Sequence, residues 1–100
     1  MAIQVHDDKT FEGIDFTQLR DVRNEYTSCV FINCVFAKAD LGNDDFLDCI
    51  FRNCDCSMAI LENTGIKNAQ FEGCKLLGID FSRCSNFNFS AQFINCHRDY

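Results

Sequence analysis

The chain has 100 residues, with 15 Asp and Glu against 9 Lys and Arg for a net charge of -6, and it holds 11 Phe, 8 Cys and neither Pro nor Trp. A single domain of this length cannot bury a broad layered core, and such acidity excludes direct binding to nucleic-acid phosphates, whose affinity comes from Lys and Arg displacing counterions. The 47% hydrophobic content excludes an acidic disordered tail, and no apolar run approaches the roughly 20 residues of a membrane span. Met1-Ala2-Ile3-Gln4-Val5-His6-Asp7-Asp8 is no secretory signal, so a soluble, cytoplasmic domain is expected.

Residues 1–10, with Ile3 and Val5 alternating, read as an N-terminal cap. From Phe11 a period of five begins: Phe11, Phe16, Asp21, Tyr26, Phe31, Phe36, Leu41, Phe46, Phe51, Cys56, Leu61, Ile66, Phe71, Leu76 and Phe81. All but Asp21 are apolar or aromatic, and eight are Phe, where random placement would put about two. Two residues before each centre runs a series of mostly small residues, including Cys29, Cys34, Ala39, Cys49, Cys54, Ala59, Ala69, Cys74 and Cys84.

Period five suits neither common element. On an α-helix each step of five turns the side chain by about 140°, and on a straight strand an odd step alternates faces. All centres point inward only if the chain bends once per repeat, with residues i and i-2 on the inner face. That is a β-solenoid, in which each coil buries its interior against its neighbours.

The units Cys34-Val35-Phe36-Ala37-Lys38, Ala39-Asp40-Leu41-Gly42-Asn43 and Cys49-Ile50-Phe51-Arg52-Asn53 resemble pentapeptide repeats, and the resemblance runs over about residues 11–98. It implies an all-β fold, a right-handed quadrilateral β-helix with four pentads per coil and about four to five coils. On a 20-residue coil, Phe11, Phe31, Phe51 and Phe71 stack, as do Cys34, Cys54 and Cys74. Residues 1–100 form one repeat domain: the cap, regular repeats over 11–84 and a phase-shifted stretch over 85–100.

The pattern breaks in three places. Asp21 occupies a core position, where an unpaired carboxylate is costly, so a bulge over 17–25 that brings Leu19 or Val22 inward is expected. After Cys84 the register slips by two residues, and Phe87 or Phe89 is expected to fold over the coil below. The chain stops at Tyr100 in mid-repeat, which fits either homodimerisation through the C-terminal end or continuation in a longer parent chain.

Seven of the eight Cys fill the small inward slot and Cys56 fills a centre, so buried reduced packing is expected rather than a disulfide framework. Cysteine spacing is mainly C-x4-C, with no C-x2-C pair, and His6 and His97 lie far apart in the sequence, so no metal or cofactor is expected. No residues combine into a catalytic constellation, and a Phe-filled interior has no room for a substrate, so no enzyme is expected.

Function then falls to the outward positions. The partner-binding candidates are Glu25, Asp40, Asp44, Asp45, Asp48, Asp55, Glu62 and Asp80, read as one acidic flank with Arg23, Lys38, Arg52 and Arg83 interspersed. Asp44 occupies an inward slot between Asn24 and Thr64; it either bonds backbone amides at a corner or lies in a column open to water. Val30, Ile32, Val35, Leu47 and Ile50 are the apolar contact candidates, read as a second flank.

Cys54-Asp55-Cys56-Ser57-Met58-Ala59 and Gly73-Cys74-Lys75-Leu76-Leu77-Gly78-Ile79-Asp80-Phe81 are similar to stretches of the quinolone-resistance branch of the family. That resemblance implies a non-enzymatic acidic rod that imitates DNA, binds DNA gyrase or topoisomerase IV and protects it from quinolones. The other reading is a structural scaffold that displays a surface to a different protein partner.

Overall fold

A computed structural model describes residues 2–18 and 22–98. Among the described residues nine short strands build two parallel sheets. The first holds β1 (Ala2–Asp7), β3 (Val22–Thr27), β5 (Asp45–Leu47) and β7 (Gly65–Lys67); the second holds β2 (Thr10–Glu12), β4 (Val30–Ile32), β6 (Ile50–Arg52), β8 (Ala69–Glu72) and β9 (Ala91–Ile94). Partners are 20 residues apart from Ala2↔Val22 to Phe51↔Phe71, and 22 apart at Phe71↔Phe93. The sheets are sides 1 and 2 of a four-sided β-solenoid. Side 3 is joined by single bridges through Asp15, Val35, Asp55, Lys75 and His97, and side 4 by Asp40↔Ile60.

The bend at each corner comes from a residue in the left-handed region. Asn33, Asn43, Asn53 and Asn63 take φ of 52–64°, which Asn tolerates because its short amide bonds locally. Lys38 and Met58 accept the same conformation without that help, at φ 61° and 57°. Sides 3 and 4 turn more tightly than the sheets: Ala39 N–H donates to Phe36 O at 2.9 Å and Asp44 N–H to Leu41 O at 3.1 Å, closing β-turns.

Inward centres stack like on like. Phe31 and Phe51 are 4.9 Å apart and parallel, Phe51 and Phe71 4.6 Å, and Phe71 and Phe93 5.4 Å. Neighbouring columns meet edge-on, as Phe31 and Phe36 do at 5.4 Å. The void among Phe36, Phe51, Leu61 and Phe71 is about 20 Å³, too small for a substrate.

Two expectations change, and a third falls partly outside the described residues. The stretch read as a cap continues the 20-residue register: Ile3 and Val5 point outward and are exposed, while His6 takes the centre and stacks on Tyr26 at 4.7 Å. The two-residue slip is an insertion between Ser85 and Ser90. Neither aromatic there enters the core: Phe87 is 82% exposed, and Phe89, 37% exposed, leans on Phe81. Leu19 and Asp21 lie outside the described residues, and Val22 opens β3 half-buried.

Candidate functional site

The small inward slot explains the cysteines. All eight are free, and all but the half-buried Cys96 are buried. A thiol fits beneath the neighbouring ring and donates weakly to a carbonyl one coil below: Cys54 Sγ to Phe31 O and Cys74 Sγ to Phe51 O, both 3.3 Å, and Cys34 Sγ to Phe11 O at 3.4 Å. Burial pushes the Cys49 thiol up to about 12 and the Cys84 thiol to about 11. Proximity to the Cys74 sulfur, then burial, raises the Cys54 and Cys56 thiols. Among the described residues no cluster of His, Cys, Asp and Glu has the geometry to hold a metal ion.

Asp44 is inside, not on a flank. It is 2% exposed, and its Oδ1 accepts the Asn24 backbone N–H at 2.9 Å. It belongs to a polar column on side 1 in which His6 Nε2 meets Asn24 Oδ1 at 3.0 Å and the Thr64 hydroxyl donates to Leu41 O at 2.8 Å. Of the two alternatives for this position, the backbone bond is the one realised.

The remaining acidic candidates do not share a flank. Glu25 and Asp45 are register partners on side 1, and Asp48 stands at the corner between sides 1 and 2. Asp55 is on side 3, bridged to Val35 and Lys75, whereas Asp40 and Asp80 belong to side 4 with Glu62 beside them. A 20-residue coil distributes the outward positions over four directions, so charges that alternate closely in sequence diverge in space.

Side 1 carries the denser strip. Asp7 and Asp8 join Glu25, Asp45 and Asp48 along it, facing Lys67 and, at the corner with side 4, Arg23. Arg23 Nη2 reaches Asp45 Oδ2 at 2.6 Å and Glu25 Oε2 at 3.6 Å, and the Asp45 hydrogen bond raises the Arg23 pKa further. On side 4 Arg83 lies 3.6 Å from both Glu62 and Asp80. Asp80 is also held below the usual carboxylate range by the hydroxyl and backbone N–H of Ser82, and Asp15 similarly by Thr17. Asp7 and Asp8 were missed because His6 hides the period; stepping back five from Phe11 would have found them.

The apolar candidates are also divided. Val30, Ile32 and Ile50 are half-buried together on side 2, Leu47 ends β5 across the corner, and Val35, 40% exposed, is alone on side 3. The exposed apolar patch lies elsewhere: Met58, Ile60 and Leu77, 45–55% exposed, surround the corner of sides 3 and 4. Met58 N–H donates to Leu77 O at 2.9 Å, and Ile60 bridges to Asp40.

Side 1 also carries an open groove of about 360 Å³ that runs along β3, β5 and β7 beneath the 85–90 segment. Its outward lining includes Glu25, Asp45, Leu47, Lys67 and Phe87. Gly65 leaves a notch there: a Cβ at that position would collide with Asp45 Oδ1, which leans across it.

The pentapeptide-repeat family model matches residues 29–64 in eight copies. Among solved structures, full-length QnrB1, a plasmid-mediated fluoroquinolone resistance protein, is similar over 93% of this chain with a TM-score of 0.65 at 19% identity. The chain spans 43% of that protein. Two trypsin-treated QnrB1 variants give TM-scores of 0.44, at 24% and 25% identity, over 93% and 91% of this chain and 55% and 54% of theirs. No curated protein sequence matches. Residues 29–64 therefore carry pentapeptide repeats, and the chain shares the solenoid fold of full-length QnrB1. Among the described residues no helix is long and apolar enough to cross a membrane.

Proposed function

We propose that this chain is a non-enzymatic protein-binding solenoid whose acidic side 1 engages a basic surface, with DNA gyrase or topoisomerase IV as the partner and protection from quinolones as the outcome. The observation that carries this reading is the strip of five carboxylates, Asp7, Asp8, Glu25, Asp45 and Asp48, along one side of a rigid stack. The rod as a whole is a sparse imitation of DNA. Duplex DNA presents a charge every ~1.7 Å, whereas a net -6 spread over the molecule's longest extent of 35 Å gives one per about 6 Å. Concentration on one side raises the local field where a partner would dock. That QnrB1 acts in fluoroquinolone resistance adds support through the fold alone.

The test is gyrase supercoiling and quinolone-induced DNA cleavage with and without the protein. Protection that weakens as salt rises is expected; no change at a large molar excess removes the topoisomerase reading. A scaffold with a different partner is favoured by a separate observation, the exposed Met58, Ile60 and Leu77 corner. On that reading Ile60→Asp abolishes complex formation while gyrase is untouched.

A further inference from the structure

We propose that the side 1 groove beneath the Phe87 segment takes an arginine side chain from a basic segment of a protein partner. This deepens the protein-binding reading and rests on it, without depending on which protein binds. An insertion of two residues into an otherwise strict 20-residue register is the one place where the described chain leaves its period. It places a phenylalanine 82% in solvent, which the stack below does not require. The ring lines a groove whose side carries the Glu25 and Asp45 carboxylates, the latter lying over Gly65, which has no side chain to exclude it.

An aromatic face and a carboxylate beside it are together the requirements of a guanidinium. The ring supplies cation–π attraction and a flat surface for stacking, and the carboxylate supplies a charge-assisted bond. Arg23 already shows the local chemistry, with Nη2 2.6 Å from Asp45 Oδ2, while Asp45 Oδ1 lies over Gly65 on the groove side. Lysine would satisfy the charge but not the stacking, so the groove prefers arginine. Asp7, Asp8 and Asp48 along the same side extend the attraction to further basic residues of the segment.

The probe is an eight-residue peptide alternating Arg and Gly, titrated into the 15N-labelled protein and compared with its Lys–Gly and Glu–Gly counterparts. Amide shifts are expected at residues 25, 45, 65, 67 and 85–88, strongest with Arg and absent with Glu. Phe87→Ala should weaken the Arg peptide roughly three- to tenfold with an unchanged melting temperature, because the ring packs on nothing it would leave empty. Gly65→Ala, which displaces the Asp45 carboxylate, should weaken it comparably, whereas Asp55→Asn on side 3 should have no effect. Shifts spread evenly over Asp40, Asp55 and Asp80, or equal losses from Phe87→Ala and Asp55→Asn, would overturn the groove. Binding of the peptide without any gyrase protection would overturn only the choice of gyrase.

Discussion

Phe51 lies between Phe31 and Phe71 at 4.9 and 4.6 Å, with Phe36 and Phe46 against its edges, and it is 3% exposed. Truncation leaves a cavity that the stacked backbones above and below cannot collapse into. Phe51→Ala should therefore destabilise the fold by about 3–5 kcal/mol in urea denaturation, and a loss below about 1 kcal/mol would contradict the stacking. The thiols make a second prediction. Cys49 titrates at about 12 in the folded chain against 9.0 ordinarily, and Cys84 at about 11. Below pH 9 neither state loses the proton and the shift has no effect. Between pH 9 and the folded value only the unfolded chain ionises, so stability falls with rising pH by up to about 1.4 kcal/mol per unit for each thiol. Melting curves from pH 8 to 11 should show this fall, and Cys49→Ala should flatten it. An identical slope in that variant would mean that the thiol is not the source.

At the scale of the element, the two-residue insertion separates structure from display. Ala69↔Ala91 and Phe71↔Phe93 pair as well across 22 residues as the earlier coils do across 20. Deleting Phe87 and Asn88 should restore the regular step and change the melting temperature by only a few degrees, since an exposed loop contributes little packing. A collapse of the fold would assign the segment a structural role instead. The Phe and Cys slots were legible in the sequence because each must be filled by size, once per pentad, so packing writes them directly into the chain. His6 was not legible, since a histidine stacked on Tyr26 does the work of a phenylalanine without looking like one. Which of Phe87 and Phe89 leans inward was not legible, because hydrophobicity alone does not distinguish a ring that packs from one that is displayed.

For the whole molecule, the outward positions obey a different rule from the inward ones. Inward residues answer to a period of five, outward ones to a period of 20, so two acidic residues share a side only when their numbers fall in the same quarter of the coil. Glu25 and Asp45 do, as do Asp40 and Asp80, but the two pairs occupy different sides. This separation of sides makes the functional account testable by charge alone. The most direct measurement compares Glu25→Gln with Asp45→Asn on side 1 against Asp40→Asn with Asp80→Asn on side 4, each as a double variant, in protection of gyrase from quinolone-induced cleavage. Both pairs remove two charges, so the net charge is matched. The account predicts that the side 1 pair loses most protection while the side 4 pair retains it; equal losses, or loss confined to side 4, would contradict it.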